Sequence, residues 1–141
     1  MTGRAKHESR SKLEAIVCSE MVRQGLPHEH RSLRFRVRDA AGGAAKYSPA
    51  IVARRGPILF LVEPVATMSR PAIERLSGFL DQHSPEIVLV IVAPDANVRK
   101  VPQGAYDEIY PESEVAQMTR RIRGQDPEGI VLPFEKPRTA G

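Results

Sequence analysis

From residue 32 to 39 the chain alternates strictly, with Leu33, Phe35 and Val37 on one side and Arg34, Arg36 and Arg38 on the other. This period of two predicts a half-buried strand. Two further apolar runs follow at 47–53 and 58–63, joined through "AAGGAA" and "ARRGP", so three short strands are expected as an antiparallel meander. Upstream, "SKLE" places Glu14 three residues after Ser11, which matches a capping box. Leu13, Ile16, Val17 and Met21 then recur at helical spacing until Gly25 and Pro27. Downstream, Pro64 has no amide hydrogen for a ladder and ends the third strand. Ser69 and Pro71 open a second helix that turns Ile73, Leu76, Phe79 and Leu80 to the core. The nearly unbroken β-branched run "EIVLVIVAP" at 86–94 predicts a strand buried on both faces, parallel to its neighbour and reached by a right-handed crossover. "AYDEIYP" predicts a short fifth strand. A last helix over 112–123 carries Val115, Met118 and Ile122 and stops at Gly124.

The expected class is therefore mixed α/β, or α+β, in one domain over 11–124. Residues 1–10 are expected to be a flexible N-terminus and 125–141 a partly disordered tail with an edge segment at 130–132. At 141 residues, with 41% hydrophobic and 27% charged, the chain can close one core and has no room for a second. Its longest apolar run is far short of the roughly 20 residues that span a bilayer. With a polar, basic start and no apolar stretch after it, a cytoplasmic protein with no membrane partner is expected. The one cysteine, Cys18, cannot form an internal disulfide and reads as a small helix residue near the core. A formal charge of +4 is compatible with a polyanionic partner without requiring one.

The order helix, three-strand meander, helix, parallel strand, strand, helix resembles the core of the restriction-endonuclease-like, or PD-(D/E)XK, nuclease superfamily across 11–123. It is nearest in pattern to small archaeal Holliday-junction resolvases, in which a helix Glu, a strand "PDIV" and a following "EVK" carry the site. The matching stretches are Glu14, "SPAIV" at 48–52 and "LVEPV" at 61–65. In that family the Asp and Glu hold a divalent cation, and the Lys helps position or deprotonate the attacking water. Here Ala50 stands where the Asp would be and Val65 where the Lys would be, with Pro64 before it. An alanine supplies no ligand and a valine no proton acceptor, while Mg²⁺ needs carboxylates brought together with the substrate phosphate.

The resemblance thus implies a catalytically degenerate nuclease fold: a nucleic-acid-binding or accessory module with no cofactor and no phosphodiesterase activity. Glu63 and Glu14 would be remnants of the site; equally, Glu63 can be a polar strand terminus and Glu14 a capping residue. One alternative is an active Mg²⁺- or Mn²⁺-dependent DNA nuclease with relocated groups, drawing its metal ligands from Glu63 and Asp39, with Glu74 nearby and Lys46 on the face of Ala50. Another is an interaction module that forms a homodimer. The basic positions Arg34, Arg36, Arg38, Lys46, Arg54 and Arg55 either track a phosphate backbone together or form a solvated sheet face. "PHEHR" places His28 and His30 two apart, but the cysteine is remote in sequence, so no zinc set is expected and both read as surface-loop histidines.

Overall fold

The computed structural model describes residues 9–38, 42–83 and 86–125. Asp39, the first eight residues and the tail from 126, with its expected edge segment, lie outside them. The described chain is mixed α/β. Helix α1 (Lys12–Arg23) is followed by β1 (Glu29–His30), β2 (Phe35–Arg38), β3 (Ala44–Tyr47), β4 (Ile51–Arg55), β5 (Ile58–Pro64), α2 (Arg70–Gln82), β6 (Ile87–Ala93), two 3-10 turns, β7 (Glu108–Pro111) and α3 (Val115–Arg123). A five-stranded sheet runs in the order β1-β4-β5-β6-β7. Its first three strands are antiparallel, and β5, β6 and β7 are parallel.

The expected meander is corrected in one respect. β2 and β3 leave the main sheet and pair only with each other, from Phe35 opposite Tyr47 to Arg38 opposite Ala44. The cause lies at Ser48–Pro49, inside what the apolar pattern reads as a single strand over 47–53. Pro49 brings no amide hydrogen to a ladder, and the Ser48 hydroxyl turns back to the Leu33 carbonyl at 3.0 Å. The run is cut into β3 and β4, and the sheet edge beside β4 is taken by the two-residue β1.

Both helix starts form as their sequences predict. The Ser11 hydroxyl accepts the Glu14 amide hydrogen at 3.0 Å, and Ser69 does the same for Ala72 at 3.2 Å. α1 ends in a Schellman turn: Gly25 has φ +73°, its N–H bonds the Val22 carbonyl, and the Leu26 N–H bonds that of Met21. This turn reverses the chain and lays 28–31 back along the helix it has just left.

Two apolar layers enclose the sheet. On one face Leu13, Val17 and Met21 of α1 join Met118 and Ile122 of α3 over Phe60, Val62 and Val90; on the other, Leu76 and Phe79 of α2 and the ribbon's Val37 and Tyr47 cover Leu61, Leu89 and Ile91. Ile16, expected on the apolar face of α1, is instead exposed. α3 is pinned to the sheet by Arg121, whose guanidinium bonds the buried Glu108 carboxylate at 2.6 Å and lies 5.1 Å from the Phe60 ring centroid.

The ribbon β2–β3 is docked on α2 by aromatic edges. Phe79 meets Phe35 at 4.9 Å and Tyr47 at 5.0 Å between centroids, each contact adding about 0.5–1.5 kcal/mol beyond area burial. Gly78 permits the approach, since a Cβ there would stand 3.3 Å from Val37 and 3.4 Å from the Arg38 carbonyl. With one side of the ribbon fixed in this way, its arginines face outward.

Candidate functional site

The Schellman turn brings Glu14 of α1 against His30 of β1 and Arg31 just after it, and the resulting cluster is largely withdrawn from solvent. The Glu14 side chain is 2% exposed and that of His30 is 3% exposed, so neither is the surface group that a capping residue or a loop histidine would be. Glu14 Oε1 accepts from Arg31 Nη2 at 2.5 Å and from the Arg10 amide at 3.2 Å. Oε2 accepts from Arg31 Nη1 at 2.9 Å and from His30 Nδ1 at 2.7 Å. Burial alone would raise the Glu14 pKa, but the hydrogen bonds from Arg31 and His30 outweigh it and hold the carboxyl below its usual range. Arg31 reaches this position from a left-handed backbone, φ +51°, rare for a residue with a side chain. Its amide meanwhile bonds the Ala50 carbonyl at 3.1 Å.

Ala50 and Glu63 do come together. Glu63 Oε2 accepts the Ala50 amide hydrogen at 3.2 Å and the Tyr47 hydroxyl at 2.5 Å. Burial raises the Glu63 carboxyl to about 7, against the pull of these two donors and of the Arg31 charge, while the charge of Glu14 adds to the rise. Burial and the adjacent Glu63 carboxylate likewise keep the Tyr47 phenol well above its ordinary value. Position 50, where the resemblance would have an Asp, thus contributes a backbone N–H that donates to Glu63.

Val65 packs with the apolar layer beneath α2. It lines a cavity of about 200 Å³ with Met68, Ala93, Asn97, Lys100 and Val101 rather than facing Ala50. Glu74 is exposed on α2. Lys46 is not on the face of Ala50, as an unbroken strand would place it: the break at Pro49 leaves it exposed on β3, opposite Arg36.

The basic positions fall into two groups. Arg36, Arg38 and Lys46 are exposed on the ribbon, and Arg34 is exposed just before it. Arg54 and Arg55 close the β4–β5 hairpin in the main sheet, opposite Leu59 and Ile58. Arg54 there lines a cavity of about 180 Å³ with Pro27, His28, Glu29 and Val52.

The sequence reading missed the company of Cys18. The thiol lies 3.2 Å from His28 Nε2, and one ligand atom each from Cys18, His28 and His30 lie within 4.8 Å of one another. The signal was in the spacing. Glu14 and Cys18 are one helical turn apart, about 6 Å of rise, and His28 and His30 are alternate positions of an extended segment, about 6.6 Å. Once the chain reverses at Gly25, these intervals match in opposite order, pairing Glu14 with His30 and Cys18 with His28. Burial pushes the Cys18 thiol up, and the Glu14 charge adds to it. Among the described residues no helix is long and apolar enough to cross a membrane. Comparison of the chain with family models, with curated proteins and with solved structures gave no match.

Proposed function

We propose that this protein is a nucleic-acid-binding or accessory module on a restriction-endonuclease-like scaffold, without phosphodiesterase activity. The observation that carries the reading is the register of the ribbon. Arg36 stands directly opposite Lys46, and Arg34 and Arg38 flank Arg36 on the same outward face. Like charges set opposite each other destabilise a strand pair. Among the described residues, none of these four cations makes an ion pair. A row of unneutralised cations on a ribbon docked to a rigid core suits a polyanionic backbone. Because aromatic residues make up 5% of the chain and tryptophan is absent from it, contact with backbone phosphates is favoured over stacking on single-stranded bases.

The carboxylates support the absence of hydrolysis. Both Glu14 oxygens are engaged by Arg10, Arg31 and His30, and Glu63 is drawn to Tyr47 and Ala50. A hard cation would have to displace these partners and would find one carboxyl group half protonated near neutral pH.

Duplex DNA is expected to bind with an affinity that falls linearly in log salt. The exposed quadruple variant R34A/R36A/R38A/K46A should weaken binding at least tenfold at low salt and flatten the salt slope by about 3–4. Neither protein should cleave DNA in Mg²⁺ or Mn²⁺. Unchanged binding by the variant would overturn the assignment of the ribbon, and cleavage by the wild type would overturn the loss of catalysis.

A further inference from the structure

We propose that Cys18, His28 and His30 form a binding site for a borderline-soft divalent ion of the zinc class, with a fourth position open to water. The donor set is one sulfur and two imidazoles, which suits zinc rather than the hard cations that oxygen ligands hold. Tetrahedral coordination at ordinary Zn–S and Zn–N lengths requires ligand atoms about 3.3–3.6 Å apart. Cys18 Sγ and His28 Nε2 are already 3.2 Å apart, and the set of three spans no more than 4.8 Å. Closing that span takes at most about 1.2–1.5 Å of side-chain movement.

The hydrogen bonds around the rings point the same way. His28 Nδ1 lies 2.9 Å from the Leu26 carbonyl oxygen, which can only accept. His30 Nδ1 lies 2.7 Å from Glu14 Oε2, an oxygen that also accepts from Arg31 Nη1. Each imidazole therefore carries its hydrogen on Nδ1, and in the neutral ring the lone pair is on Nε2. An outer oxygen that fixes the tautomer of a ligating histidine is the usual support of a zinc site. Here a main-chain carbonyl serves one ring and a buried carboxylate the other. As the sulfur–metal bond forms, the Cys18 thiol gives up its proton to solvent.

This site is independent of the ribbon and of DNA binding. Cobalt(II) titrated into the reduced full-length chain, stripped of metal with a chelator, is expected to develop thiolate-to-cobalt charge-transfer absorption that saturates at one equivalent. Zinc should then displace it. At a hundredfold excess over Kd, zinc should raise Tm by about 5–10 °C. Cys18→Ser should lose the charge-transfer band and bind at least a hundredfold more weakly. His28→Ala, at a half-exposed ring, should weaken binding similarly and serves if the serine variant does not fold. Absence of the band in the wild type, or equal cobalt affinity in the wild type and His28→Ala, would overturn the site.

Discussion

Replacing Glu14 by alanine is expected to destabilise the protein by about 3–5 kcal/mol, the range found when one member of a buried ion pair is removed and its partner stays behind. The arithmetic favours the lower half of that range, because the Arg31 side chain is 21% exposed and can recover some hydration. His30 cannot: its side chain is 3% exposed, and Glu14 supplies the acceptor for its Nδ1 hydrogen. The left-handed backbone at Arg31 adds to the loss, since the bidentate contact that rewards that conformation disappears. Urea unfolding at pH 7 with an unchanged m-value is the measurement. The surface pair of Glu20 with Arg23 is the control, and Glu20→Ala should leave the midpoint nearly in place. pH gives a second check. The Glu14 carboxyl is held below its ordinary value of 4.5, so the unfolded chain takes up its proton first. The stability Glu14 provides is fully present above that value and is lost as pH falls through the folded one. The wild-type and Glu14→Ala midpoints should therefore converge in acid. Equal midpoints at pH 7 would mean that the cluster carries no stability.

The layers of this fold are legible in the apolar pattern, and the site is legible only in pieces. α1, α2, β5, β6 and α3 each have a strong local signature: a capped amphipathic face, or a run of β-branched residues long enough to leave one interpretation. β1 has none, because two residues, Glu29 and His30, cannot show a period. It is a strand only because β4 offers it an edge. The same local blindness joined β3 to β4, for the alternation continues through Tyr47 and Ile51 while the backbone does not continue through Pro49. Two of the site's differences from the sequence pattern descend from these segments, and a third from the reversal at Gly25. Counting across the break puts Lys46 on the face of Ala50, where the structure does not have it. With no visible period at β1 the histidines read as surface-loop residues, and Cys18 is remote from them only by distance along the chain. A helix followed by a tight reversal cancels that distance, so the informative comparison was between the rise of one helical turn and the rise of two extended residues. By contrast, that positions 50 and 65 supply neither a carboxylate nor an amine is legible from residue type alone, since no fold makes a methyl or isopropyl group a ligand.

Glu63→Gln is expected to make the protein more stable at pH 8 and to leave it unchanged at pH 4. Burial raises this carboxyl from 4.5 to about 7 in the folded chain, so between those values the native state holds a proton that the unfolded state has released. The stability associated with that proton is fully present below about 4.5 and falls as pH rises through about 7. At 1.36 kcal/mol per pH unit, ionising Glu63 in place costs on the order of 3 kcal/mol at pH 8. Glutamine avoids this cost and keeps an oxygen to accept from the Tyr47 hydroxyl and the Ala50 amide. The gain should fall somewhat short of the full figure, because a phenol donates more strongly to a carboxylate than to an amide. Urea midpoints of the two proteins should diverge between about pH 4.5 and 7 and run parallel above that, and curves parallel over the whole range from pH 4 to 9 would show that Glu63 titrates alike in the folded and unfolded chains. The same titration in millimolar Mg²⁺ bears on catalysis. A cation held at Glu63 would favour the charged form, pull its apparent pKa back toward the ordinary range and stabilise the wild type selectively at high pH. On the degenerate reading Mg²⁺ has no such grip, and the wild-type curve should be the same with and without it.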